Sequence, residues 1–328
     1  MKEGAGMTFK AKIKANASIN SLYRKLKYGY YKYLMSDKRH VQSVFKKRYN
    51  YDLNLNNPKT FTEKINYLKL YYANDEKAIL AGDKIGLHAF LKQKQLANLA
   101  VPMVALADSV KDIQWTELPN QFVIKKSNAS KMNLIVRDLA QLSVDELKQI
   151  LKKWEKQVFG LATAEPHYEK MQSRFIIEKY IPNIERDWKI FFCNGEPCML
   201  EAYLWEKQEK LVGHRKTVYI TADLNGKVLQ IDADEQMAQP IQTSGLKFID
   251  LPPQFEQMID YGRILAEDFP FVRVDFFVSD GQLFLGELTF TPAAGLDNYS
   301  EEIEQWLGEK ISLPHEKRRA AGSSIQRS

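Results

Sequence analysis

The sequence predicts an α+β fold built on antiparallel hairpins, and three observations carry that prediction. Short apolar runs flank Asn194-Gly195, Asn225-Gly226 and Asp280-Gly281, residue pairs that readily take the positive backbone angles of tight turns. Between them lie segments whose apolar residues recur at helical spacing. The 328 residues, 45% hydrophobic and 27% charged, suffice for one large or two ordinary domains, which excludes disorder, a collagen-like chain and a small disulfide scaffold.

The elements follow in order. Thr60 and Glu63 have the spacing of a capping box that starts a helix through FTEKINYLKLYY, with Ile65, Leu68 and Tyr72 on one face. A second helix is expected from Asp83 to about Leu96, with Ile85, Phe90 and Leu91 inward, ending before the extended stretch Val101 to Val104. QFVIKK reads as a short buried strand, LIVRD as its hairpin partner across SNASKMN, and Val144 to Val158 as a helix. The second half is richer in strands: RFIIEKYI, then DWKIFFCNGEPCMLEAYL and KTVYITADLNGKVLQID as hairpins. A helix from Pro253 to Glu267, the hairpin FVRVDFFVSDGQLFLGELTF and a helix from Glu301 to Leu307 complete the pattern. The tail KRRAAGSSIQRS is expected to be disordered.

Charge is uneven. Residues 1 to 50 carry a net +11, leaving −5 on the rest. In this leader Tyr23, Tyr28, Tyr30, Tyr31 and Tyr33 alternate with Arg24, Lys25, Lys27 and Lys32, a composition suited to a polyanion or an anionic membrane face and equally to a solvated helix packed on the main body. No nucleic-acid module signature accompanies it, and nucleic acid is not an expected partner. No apolar run is long enough to span a bilayer, and the first fifteen residues lack the apolar core of a secretion signal. Cys193 and Cys198 read as packing residues in a reducing, cytoplasmic setting.

The hairpin near the C-terminus carries the chemistry. Alternation puts Arg273 and Asp275 on one face of their strand, and Glu287 and Thr289 share a face of the returning strand. A two-residue loop, Asp280-Gly281, would pair Val274 with Glu287 and set the carboxylates on opposite faces. A three-residue loop, Ser279 to Gly281, pairs Arg273 with Glu287 and gathers Arg273, Asp275, Glu287 and Thr289 on one surface. The three-residue loop is the expectation here, with Gly281 taking its left-handed position. Two convergent carboxylates and a hydroxyl suit Mg²⁺ beside nucleotide phosphates, and they suit a salt-bridged, solvated sheet face as well.

RVDFF, nine residues, then E-x-T-x-x-P-x-x-G closely resembles the metal-binding hairpin of ATP-grasp ligases such as D-alanine:D-alanine ligases. With NPKTFTEKINYLKL, Asp83-Lys84, FVIK, IIEKYI, DWKIFFCNGEP and GELTFTPAAG, the chain resembles over residues 40 to 312 the TupA-like branch associated with polysaccharide and teichuronopeptide biosynthesis. The resemblance implies two α+β subdomains clasping ATP, with a basic helical N-terminal extension. The divisions would be a leader (1–50), a helical part (51–81), subdomain A (82–180), subdomain B with the metal hairpin (181–312) and the tail (313–328). It implies Asp275, Glu287 and Thr289 as ligands of two Mg²⁺, and Lys84 and Lys125 on the ATP phosphates, with Arg273 and Lys125 supporting catalysis. Glu178, Lys179, Tyr180 and Ile181 would form the adenine hinge, Asp187 would contact ribose, and Lys189 would extend toward phosphate or substrate. Arg215 would meet the transferred phosphate or the acceptor, whereas His214 reads as a surface histidine. Two departures stand out: threonine at 289 in place of asparagine, and a phosphate-covering loop without glycine, where Ser127, Ser130 or Lys131 would make the contact.

The function so implied is an ATP-dependent carboxylate–amine ligase working through an acyl phosphate. It would join an amino acid or amine to a uronic-acid-containing glycan or its precursor, in the cytoplasm and peripherally at the inner membrane face. A kinase or sugar transferase on the same fold, and a noncatalytic ATP-binding protein, are the other readings the residues admit.

Overall fold

A computed structural model of the chain describes residues 29–184, 186–205, 217–233 and 245–314. The expected disorder of the tail, most of the basic leader, and Arg215 with His214 lie outside those residues. Helix α1 (Asp37–Tyr49) begins at Ser36, whose side chain accepts from Arg39 N. Helix α2 (Phe61–Tyr72) has the full capping box expected of Thr60 and Glu63. Its buried face, including Ile65, Leu68 and Tyr72, seats it on the main core.

The helix expected from Asp83 to about Leu96 is the shorter α4 (Gly86–Gln93), and a further helix, α3 (Glu76–Gly82), precedes it. Asp83 breaks the run because its Oδ1 accepts from the N–H of both Ile85 and Gly86, at 3.0 and 2.9 Å. Lys84 therefore lies in the intervening turn rather than at the start of a helix.

Two antiparallel sheets follow. The smaller has β1 (Met103–Ala107), β2 (Phe122–Lys126), β3 (Asn133–Val136) and β4 (Phe175–Lys179) in the order β1-β4-β2-β3. Helix α5 (Val144–Glu155), three residues shorter than expected, packs Leu147 and Leu151 into the core behind this sheet. The short helix α6 (His167–Lys170) precedes β4. Lys126, on the buried face of β2, is held because its ammonium donates to the carbonyls of Trp154 and Gln157 at the C-terminal end of α5.

The larger sheet runs β10-β9-β5-β6-β7-β8. Its strands are β5 (Asp187–Cys193), β6 (Glu196–Trp205), β7 (Thr217–Ala222), β8 (Val228–Ala233), β9 (Phe271–Ser279) and β10 (Gln282–Thr289). Helix α7 (Phe255–Ala266) covers one face, and α8 (Glu301–Lys310) packs against α2. Cys193 and Cys198 are buried and unbridged, as expected of packing residues. Asn194 and Gly195 turn the β5–β6 hairpin with φ of 54° and 88°. The sheets meet where Val101, Phe277 and Phe284 pack with Ile181 and Ile184, and where Ala100 bridges Leu285. Among the described residues, no helix is long and apolar enough to cross a membrane.

Candidate active site

The β9–β10 hairpin overturns the expected loop and still brings the carboxylates together. Ser279 pairs with Gln282, so the loop is the two-residue turn Asp280-Gly281, with φ of 48° and 81°. That register alone would face Glu287 away from Asp275. The ladder shifts by one residue between Leu285 and Glu287, however, because Gly286 is a bulge, and beyond it Glu287 opposes Asp275 and Thr289 opposes Arg273. The three-residue loop is thus replaced by a tight turn plus a bulge, which restores the face through a different backbone device.

Lys189 on β5 also pairs with Asp275, and Glu201 on β6 pairs with Lys189. Glu287, Asp275, Lys189 and Glu201 therefore form a transverse row across four strands of one sheet face. The Arg273 guanidinium grips the Asp275 carboxylate through Nε and Nη2, both at 2.7 Å, and Nη2 also reaches the Thr289 hydroxyl at 3.2 Å. Lys189 makes an ion pair with the same carboxylate, and its ammonium lies over the Tyr203 ring. Asp275, Arg273 and Lys189 are all buried.

Glu287 is more open, with a third of its side chain exposed, and stands 3.7 Å from both Lys84 Nζ and Arg273 Nη2. Burial pushes its carboxyl up, but Lys84, Lys189, Arg273 and Lys125 together outweigh burial and hold it at about 2. Lys84 Nζ also donates to Ala129 O at 2.6 Å, tying the turn after α3 to the loop after β2. Lys125 pairs with Glu178 at 2.6 Å on the neighbouring strand, and the half-buried His88 lies within reach of both charges.

The remaining positions anticipated from sequence divide. Lys179 is exposed at the end of β4, its N–H donating to Pro102 O, and Ile181 packs at the junction of the sheets. Asp187 opens β5 opposite Phe277 and Tyr203, on the same face as Lys189. Ser127 is fully buried, its hydroxyl donating to Gln172 O at 2.9 Å and accepting from Arg174 N at 3.2 Å. It anchors the base of the loop, and its hydroxyl is committed to backbone. Asn128 and Ala129 are buried beside it, so Ser130 and Lys131 form the accessible tip of this glycine-free segment.

Sequence reasoning missed Glu201, Asp297 and Tyr299. The Tyr299 hydroxyl donates to Glu201, as does that of Tyr203. Burial, reinforced by Glu201, raises the Asp297 carboxyl to about 7. Also missed was a buried group behind the hairpin. Glu165 accepts from Thr291 and Thr163, both at 2.6 Å, and Lys69 donates to Thr163 O at 2.9 Å. Burial brings the Lys69 ammonium down to about 8 and His167 to about 3.

The donor set fits a hard divalent cation. Two directly opposed carboxylates and a neighbouring hydroxyl offer only oxygen, and among the described residues no group of three or more His, Cys, Asp or Glu side chains is placed to hold a metal. Few protein oxygens and an open side suit Mg²⁺, which keeps water and phosphate in its shell.

The family model described as TupA-like ATPgrasp matches residues 63–312. The chain belongs to this TupA-like ATP-grasp family. Its two sheets and their helices are accordingly an ATP-grasp fold, the α+β architecture expected from sequence. Among solved structures it is similar to an L-amino acid ligase from Bacillus licheniformis, at 14% identity and a TM-score of 0.42, covering 73% of this chain and 50% of that one. It is also similar to a D-alanine–D-alanine ligase from Bacillus anthracis, at 16% identity and a TM-score of 0.42, covering 74% of this chain and 71% of that one. An N5-carboxyaminoimidazole synthetase from Staphylococcus aureus, complexed with ADP, gives 16% identity and a TM-score of 0.38, covering 72% and 53%. The chain thus spans about half the length of the first and third of these. No curated protein matches the sequence.

Proposed function

We propose that the protein is an ATP- and Mg²⁺-dependent carboxylate–amine ligase that forms an amide through an acyl phosphate. The observation that carries the reading is the opposed pair Asp275 and Glu287, surrounded by Arg273, Lys84, Lys189 and Lys125 on a face open to solvent at Glu287. Such a site neutralises a polyphosphate and orients its terminal group, which is most of what phosphoryl transfer asks of a protein. Mg²⁺ bound at Asp275, Glu287 and Thr289 would polarise phosphate oxygens, and the present donor set supports at least one such ion.

The chain's own groups divide the remaining work. Lys84 and Lys125 hold the phosphates as flexible point charges, and Lys131 is the accessible cation of the covering loop. We leave Ser127 out of the site because its hydroxyl is occupied by backbone. The segment Glu178 to Ile181 takes adenine, Asp187 takes ribose, and Arg273 with Lys189 stabilises charge as the γ-phosphoryl moves to a substrate carboxylate. Arg215 is assigned to the acceptor on sequence grounds. The sequence resemblance to the branch associated with polysaccharide biosynthesis is the ground for taking a uronic-acid-containing glycan or its precursor as one partner and an amino acid or amine as the other. The leader supports contact with an anionic membrane: Tyr33 and Leu34 are 74% and 77% exposed beside Lys32, Lys38 and Arg39.

The test is intact-mass analysis of ATP reactions offered mixed uronic acids and amino acids. The expected product is the condensed amide with one ADP formed per amide bond, and none with Glu287→Gln. A phosphorylated sugar without amide would make the protein a kinase. Nucleotide binding with no magnesium-dependent ADP formation would make it a binding protein.

A further inference from the structure

The metal hairpin ends at the edge of its sheet. β10 is the outer strand, bulged at Gly286, and beyond the bulge β9 is its one strand neighbour among the described residues. A side-chain tie holds the strand from outside. Two residues past Thr289, the Thr291 hydroxyl donates to Glu165 at 2.6 Å, and the two residues are 3% and 5% exposed. Glu165 belongs to the stretch 160–172 that precedes β4, and strained backbone presents it. Gly160 and Ala164 have φ of 80° and 54°, and the Cβ of an alanine in this region crowds the following carbonyl. The stretch is braced by Lys69 of α2, whose ammonium donates to Thr163 O at 2.9 Å, while the Thr163 hydroxyl donates to Glu165 at 2.6 Å. A buried carboxylate that accepts from two hydroxyls makes a firm anchor.

The same stretch carries the loop after β2. Asn128 Nδ2 donates to Tyr168 O and Met171 O at 3.4 and 3.3 Å, and the Ser127 hydroxyl donates to Gln172 O. Gly82 closes the junction. A Cβ there would lie 3.0 Å from Met171 Cε and 3.4 Å from Phe290 Cδ2, so the end of α3 fits between the stretch and the outgoing hairpin. On the other side Lys84 Nζ holds Ala129 O at 2.6 Å and stands 3.7 Å from Glu287. The loop and β10 are therefore pinned to each other twice, through Lys84 beside Glu287 and through Glu165 just past Thr289. We propose that Glu165 and Thr291 are positioning residues, whose bond sets the end of β10 against the loop so that phosphate under the loop and a cation at Glu287 and Thr289 meet in register. The role rests on the nucleotide and magnesium reading of the site. It also accounts for a covering loop without glycine, because a loop held in place by buried side chains needs no backbone freedom to close.

The experiment measures the ADP affinity of the full chain by calorimetry, with and without magnesium, and the hydrogen exchange of amides 127–131. In the unsubstituted chain magnesium should tighten ADP binding. Thr291→Val keeps the shape of the side chain and lacks the hydroxyl. There the gain from magnesium should fall by about tenfold or more, while magnesium-free affinity stays within about twofold. The loop amides should exchange about fivefold faster or more. Thr291→Ala repeats the test with a smaller side chain, and Thr291→Ser should restore both readouts. Thr163→Val takes a donor from the same carboxylate without touching the hairpin, and should keep the gain within about twofold. A gain intact in both hydroxyl-free variants, unrescued by serine, or lost equally in Thr163→Val overturns the positioning role. So does a magnesium-free affinity that falls in parallel. An unsubstituted chain whose ADP affinity ignores magnesium defeats the nucleotide and magnesium reading and the registering role with it, while the exchange still judges whether the tie holds the loop.

Discussion

Asp275→Asn should destabilise the protein in the absence of any metal. Its carboxylate is the shared counter-charge of two buried cations, accepting two bonds of 2.7 Å from Arg273 while pairing with Lys189. Removing one partner of a buried ionic group typically costs about 3–5 kcal/mol, because the remaining charges are left uncompensated. Arg273 keeps the Thr289 hydroxyl at 3.2 Å and Glu287 at 3.7 Å, so the lower end of that range, about 3 kcal/mol, applies. With a urea dependence of about 3 kcal/mol per molar for a chain of this size, the unfolding midpoint should fall by about 1 M. Glu287→Gln is the internal control. Its nearest cations stand at 3.7 Å and its side chain is a third open to solvent, so its loss should stay below about 1 kcal/mol. Both variants should lose magnesium-dependent nucleotide binding. Equal midpoints for the two variants, or an Asp275→Asn midpoint within about 0.3 M of the unsubstituted chain, would refute the claim that Asp275 neutralises the cations before nucleotide arrives.

His167 is buried and neutral, held at about 3, whereas the unfolded chain takes up that proton near 6.5. Stability from this group is full above the unfolded value and falls with pH below it, by about 2 kcal/mol between pH 8 and pH 5. His167→Phe should flatten that slope in unfolding curves, and parallel slopes would exclude the assignment. Gly308→Ala would place a Cβ 2.2 Å from Lys59 O and 2.9 Å from Thr60 C, driving α8 off the start of α2. A loss of about 2 kcal/mol, some 5 °C in thermal midpoint, should follow, and an unchanged midpoint would show that the helices separate freely. Calorimetry should find weak Mg²⁺ binding to the free chain and much tighter binding in the presence of ADP. Equal affinity in the two titrations would count against a shared site.

Local chemistry was legible where it acts over a few residues. Thr60 and Glu63 announced α2, and the hairpin turns at Asn194-Gly195 and Asp280-Gly281 are where their glycines put them. The bulge at Gly286 was legible in principle, since a lone glycine within a strand pattern often marks one. The expected three-residue loop solved the same facing problem at the wrong place. The helix break at Asp83 had a signal too, an aspartate able to cap the N–H groups that follow it. Other features had no local signal. Lys69 and Lys126 look like solvent lysines and are buried, because their carbonyl partners come from segments 94, 28 and 31 residues away. Arg48 and Tyr49 meet the turn after the hairpin across 248 residues, and no spacing rule reaches that far.

The same geometry makes Asp275, the metal ligand of the proposed function, a structural group as well. Asp275 cannot face a buried arginine and lysine without satisfying them, and they cannot be buried without it. A divalent ion approaching alone competes with both cations for the same two oxygens. On the proposed ligase reading nucleotide phosphates would change that balance, because Arg273 and Lys189 would turn to the phosphate as their carboxylate turned to the ion. Glu287, more exposed and held near 2 by four cations, is the side from which the exchange can begin. On that reading the cations that balance Asp275 before nucleotide binds would be those that bear the charge of phosphoryl transfer, and their burial would be the preorganisation that the reaction uses.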